Sequence, residues 1–73
     1  MTKVSIHFTD GEVISLEDVT AINTFYKKTS AIYTDDNIAK VPIRNALTYL
    51  FESATRKLSV SGEQIKYVEF TNQ

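Results

Sequence analysis

Three times in 73 residues an apolar alternation runs into a corner of Gly, Asp or Asn and resumes beyond it: VSIHF-TDG-EVISL, AIY-TDDN-IAKV and LSVS-GE-QIKYV. Residues two apart share one face of a strand, and these corner residues either accept a positive φ or bond their own backbone. The pattern predicts a sheet built of antiparallel hairpins.

The first hairpin carries its own register. A two-residue Asp10-Gly11 loop would set Phe8 opposite Val13 and Ile6 opposite Ser15. A three-residue loop, Thr9-Asp10-Gly11, sets Ile6 opposite Ile14 and Val4 opposite Leu16, gathering Val4, Ile6, Phe8, Ile14 and Leu16 on one face. A slip of one residue would expel the apolar set of a whole strand, so the second register is expected, with Gly11 in the left-handed conformation of a bulge.

Between Leu16 and Lys28 two periods compete. Ser15 and Asp18 resemble a capping box, with Val19, Ile22, Phe25 and Tyr26 near helical spacing, but Val19, Thr20, Ile22, Thr24, Phe25 and Tyr26 suit a pleated surface. A strand over 19–26 is the expectation, with Lys27-Lys28 turning the chain. A second hairpin, Ser30 to Thr34 and Ile38 to Val41, would turn at Asp35-Asp36-Asn37 and end at Pro42, which has no N–H to donate.

Beyond Pro42, residues Ile43, Ala46, Leu47, Leu50, Phe51 and Ala54 match a helical template and predict a short helix over 43–55. Leu47, Tyr49 and Phe51 would serve equally as alternate positions of a strand after a kink. The last hairpin would turn at Gly62-Glu63, pairing Val60 with Ile65 and Leu58 with Tyr67. Val68 and Phe70 then fall on the face opposite Ile65 and Tyr67, which implies cover on both sides of that strand, from the fold or from a second copy. The expected class is a small β-rich α+β domain, 1–73, its hairpins curled into a roll or partly open barrel with one helix near 43–55.

So short a chain has little room for a walled cavity between layers. It has no Cys, hence no disulfide framework, thiolate metal site or thiol nucleophile. MTKVSIHFTD alternates where a signal peptide or membrane span would be continuously apolar, so a cytoplasmic protein is expected. The net charge is −1, divided between an acidic stretch up to Asn37 and a basic one from Ile38 onward.

No constellation for catalysis accompanies this frame. His7 is the single histidine, it points away from Ile6 and Phe8, and nothing local supplies a nucleophile or carboxylate. The acidic pairs Glu17-Asp18 and Asp35-Asp36 lack calcium-loop spacing, and Gly11 and Gly62 stand alone rather than in a phosphate-cradling run. A protein that is not an enzyme, with no cofactor and no metal, is expected.

Two features point to macromolecular contact. Phe25, Tyr26, Lys27 and Lys28 set aromatic faces beside cations, which single-stranded nucleic acid would use, although the slight net acidity disfavours that partner. Tyr26, Tyr33, Tyr49 and Tyr67 supply amphipathic rings of the kind concentrated at protein interfaces. A homodimer would add burial that so small a core lacks.

The FTDG corner, the EDVTAIN stretch, the TDDNIAKVPIRNAL passage and the closing IKYVEF together resemble the small uncharacterised proteins encoded by phages and prophages of low-GC Gram-positive bacteria. The resemblance spans the chain and transfers no site residue. It implies a role common among such products, an inhibitor or modulator that occludes a host or phage protein such as a defence nuclease, a polymerase or a repressor.

Overall fold

The computed structural model describes residues 2–72 and contains six strands: β1 (Thr2–Phe8), β2 (Val13–Tyr26), β3 (Thr29–Thr34), β4 (Thr48–Ser53), β5 (Lys57–Ser61) and β6 (Ile65–Asn72). They form one antiparallel sheet in the order β5-β4-β2-β1-β6, with β3 joined to β2 outside that path. Two 3-10 helices, Asp35–Lys40 and Gly62–Gln64, complete the described elements. The small β-rich class expected from the alternation is the class observed.

β2 organises the sheet because its 14 residues are long enough to serve three neighbours. Its first half pairs with β1, and its second half lies between β3 and β4. The change of partner coincides with irregular pairing near Asp18, which has φ 53°, and near Thr20, where β2 carries one residue more than β4. Such extra residues bend a strand and increase its twist. Val4 and Ile6 of β1, Val60 of β5 and Ile65 of β6 meet in one buried cluster with Ile22, Tyr49 and Phe51. Strands at opposite ends of the order share that core, so the sheet curls into a roll. Among the described residues no ladder joins β5 to β6, and the roll stays open there.

The first hairpin adopts the three-residue register. Val4 pairs with Leu16 and Ile6 with Ile14, and Gly11 has φ 94°. Phe8 N–H bonds the Glu12 carbonyl at 2.8 Å, and Gly11 N–H bonds the Phe8 carbonyl at 3.1 Å, closing the loop. Residues 19–26 are strand, as their pleat-favouring side chains imply, and Lys27-Lys28 turns the chain into β3.

The helix expected over 43–55 does not form. Residues 48–53 are β4, with Tyr49 and Phe51 fully buried and Ile43 and Ala46 exposed, so the two-residue period prevails over the helical one. A helix would satisfy only its own backbone, whereas a strand here pairs with both β2 and β5.

The second hairpin is also corrected. β3 pairs with β2, and Asp35–Lys40 winds into a 3-10 helix instead of leading to a returning strand. Ile38 and Val41 are three residues apart, which aligns them on one side of a three-residue turn, and both enter the core.

The third is replaced by a crossover. Gly62–Gln64 carries the chain from β5, which pairs with β4, to β6, which pairs with β1. At Gly62 a Cβ would collide with the Arg44 carbonyl oxygen and sit 2.6 Å from that of Leu47.

The two-sided appearance of β6 has a local cause. Phe8 pairs with Ile65 and His7 with Tyr67, leaving Lys66 as an extra residue. This bulge reverses the alternation, so Ile65, Val68 and Phe70 all pack on the same core. No second copy is required to cover them.

Candidate interaction surface

Register defines what the outside of the roll displays around β2. Asn23 lies opposite Ile32 of β3 and Leu50 of β4, and Phe25 lies opposite Ser30 and Thr48. Because opposed residues share a face, Ile32, Asn23 and Leu50 form a row across the outer surface with Phe25 one pair further on. Ile32 is 61% exposed and Phe25 is 42% exposed, while Leu50 is half-buried. The inner face of the same ladder carries Ile22, Phe51 and Tyr49 into the core. One strand thus has a core side and a wet apolar side.

The β2–β3 tip adjoins this patch. Tyr26 is 44% exposed, and Lys27 and Lys28 are exposed beside it. Lys27 Nζ sits 5.3 Å from the Tyr26 ring centroid, a cation over an aromatic face. Lys27 has φ 54°, an uncommon conformation for a residue with a Cβ, which a tight two-residue loop imposes. Phe25, Tyr26, Lys27 and Lys28 thus share the hairpin tip, but Phe25 lies on the outer face with Ile32 whereas Tyr26 lies on the other face, with Lys27 over its ring.

The tyrosines separate into three environments. Tyr49 is wholly buried and is removed as a contact residue, because its ring fills the core and its hydroxyl is bonded to Pro42 and Arg44. Burial pushes its pKa above the ordinary tyrosine value, with the Arg44 backbone bond acting in the opposite direction. Tyr33 is half-buried and packs against the core. Tyr67 is 45% exposed but belongs to β6, near the start of β2 in the sheet, away from the β2–β3 tip.

Tyr67 belongs to a second cluster that local sequence does not reveal. Its ring stacks on His7 with centroids 4.0 Å apart, and His7 Nε2 lies 2.6 Å from Glu69 Oε1. The carboxylate comes from a residue 62 positions away, visible only once β6 pairs with β1. Ser5 shares the His7 face but is bonded to Ser15 at 3.1 Å. The His7–Glu69 bond and the Tyr67 stack orient the imidazole on an outward strand surface.

The other candidates remain apart. Asp35 and Asp36 border an open cleft of about 660 Å³, with Thr20, Ile38 and Phe70 on its walls. Among the described residues no three His, Asp or Glu side chains converge to hold an ion. Lys57 lies 3.7 Å from Glu52, the Ser53 hydroxyl closes the β4–β5 turn on the backbone N–H and C=O of Arg56, and Arg44 is in the loop before β4. These cations sit on elements other than the β2–β3 tip.

No protein family, curated protein or solved structure matches the chain. Among the described residues no helix is long and apolar enough to cross a membrane.

Proposed function

We propose that the protein is a non-catalytic binding module that presents the outer face of the β2–β3 hairpin to another protein. The observation that carries this reading is the exposure of Phe25 and Ile32 on one outer face of a rigid ladder, with Tyr26, Lys27 and Lys28 exposed at the tip that borders it. Exposed aromatic and branched apolar side chains surrounded by Ser30, Thr48 and the lysines reproduce the make-up of a contact patch, with desolvating anchors inside and a polar rim outside. Backbone pairing on both sides of β2 holds the anchors in place, so little ordering cost falls on association.

The mode of action is occlusion. A stiff hairpin covers a functional surface of its partner and blocks access without making or breaking a bond. Together with the resemblance to phage products, this makes an inhibitor or modulator of a cytoplasmic host protein the preferred role.

The test is capture from the source cell with tagged protein, followed by mass spectrometry, comparing wild type with Phe25→Ser and Ile32→Ser. The reading requires one partner that is retained by wild type and lost by both folded variants. Equal retention by the variants refutes this face.

The Lys27–Tyr26 contact favours one other reading, a single-stranded nucleic-acid binder with ring and cation side by side. A labelled oligonucleotide shifted at low salt, with the shift abolished by replacing Lys27 and Lys28, would promote it over protein binding.

A further inference from the structure

The edge of β3 differs from the other two open edges of the sheet. β6 is interrupted by the Lys66 bulge and carries Lys66 and Glu69, and β5 is five residues long and begins at Lys57. Bulges, charges and shortness all hinder another strand from pairing. β3 has neither bulge nor charge: Thr29, Ser30, Ala31, Ile32, Tyr33 and Thr34 are uncharged, and the strand pairs regularly with β2 along its length.

The two-residue Lys27-Lys28 loop makes Tyr26 and Thr29 the hydrogen-bonded closing pair. By alternation Ala31 and Tyr33 direct N–H and C=O to β2, while those of Ser30, Ile32 and Thr34 point to the open edge.

The charges flanking β3 select its occupant. The segment reads KK-TSAIYT-DD, with a basic pair before the strand and an acidic pair after it, all four exposed. A parallel copy would set like charges together, whereas an antiparallel copy sets unlike ones together. Keeping the faces matched allows Ile32 to lie opposite Ile32 of the second copy. In that register Ala31 meets Tyr33, Ser30 meets Thr34, and Lys28 lies level with Asp36.

We propose that β3 is a self-complementary edge through which two copies pair antiparallel about a two-fold axis at Ile32, with Lys27-Lys28 of each beside Asp35-Asp36 of the other. The pairing covers Ile32, the most exposed large apolar side chain among the described residues, and joins two four-strand runs through one continuous ladder. It leaves the outer faces carrying Phe25 open and adjacent. It does not rest on the binding role proposed above, and its test needs only purified protein.

Light scattering coupled to size exclusion across a concentration series is expected to give a monomer–dimer equilibrium for wild type. Ile32→Lys, which puts two cations on the axis, is expected to be monomeric. Lys27→Glu with Lys28→Glu in one chain, and Asp35→Lys with Asp36→Lys in another, are each expected to weaken self-association at least about tenfold, because every flank then meets its own sign. Mixing these two chains should restore the dimer as a heterodimer. Wild type that stays monomeric to about 1 mM overturns the proposal, as does a dimer unaffected by Ile32→Lys or by either charge reversal.

Discussion

The hydroxyl of Tyr49, in the second position of β4, donates to the Pro42 carbonyl at 2.6 Å and accepts the Arg44 N–H at 2.8 Å. One side chain thereby fills the core with its ring and ties down the loop before its own strand with its tip. Removing the hydroxyl in Tyr49→Phe leaves two backbone groups without that partner, and an expected loss of about 1–2 kcal/mol follows. Chemical denaturation with an unchanged m-value checks it.

The same residue predicts an alkaline limit. Burial raises its pKa above 10.0 in the folded protein, so the unfolded chain releases this proton first as pH rises. The contribution is whole below about pH 10 and is lost as pH climbs through the folded value. Wild-type stability is expected to fall more steeply above that pH than the stability of Tyr49→Phe.

The two glycines should fail for different reasons. Gly11 has φ 94° and nothing within 4 Å of a built Cβ, so Gly11→Ala costs conformational strain alone, about 1–2 kcal/mol, and Gly11→Asn costs less. Gly62 is confined by the carbonyls of Arg44 and Leu47, so Gly62→Ala is expected to cost about 3 kcal/mol, and Asn there should be worse than Ala. Thermal unfolding of the four variants separates conformation from space.

At Lys66 the residue matters more than its side chain. Lys66→Ala changes an exposed group and is expected to stay within about 0.5 kcal/mol of wild type. Deleting Lys66 restores strict alternation to β6 and forces either Ile65 or the pair Val68 and Phe70 out of the core, a loss of about 2–5 kcal/mol. Loss of cooperative unfolding in the deletion, with the alanine variant intact, is the expected result.

Surface and core anchors on the β2–β3 ladder should part company as well. Phe25→Ser and Ile32→Ser are expected to lie within about 0.5 kcal/mol of wild type, while Tyr33→Ala, which removes a ring packed against the core, loses about 2 kcal/mol. Urea midpoints decide it.

What was legible in the chain was local. The β1–β2 register followed from Val4, Ile6, Ile14 and Leu16 around Gly11, because a strand face and a three-residue loop are set within a dozen positions. The turn at Lys27-Lys28 and the adjacency of Phe25 and Tyr26 were legible for the same reason. Residues 43–55 were not, since Leu47, Leu50 and Phe51 fit a period of 3.6 as readily as Leu47, Tyr49 and Phe51 fit a period of two. The β4–β5 turn at residues 54–56, ATR in sequence, has no Gly or Asn to mark it.

Local patterning was enough for the β-rich class and the first register. Tertiary structure alone decided that β6 returns to β1, that Tyr49 is core rather than contact, and that Glu69 reaches His7. Turn chemistry and side-chain period act between near neighbours, whereas the partner of a strand depends on which open edge the rest of the chain has left. One inserted residue, Lys66, reverses a face without altering composition, so such choices become visible only when the strands are paired.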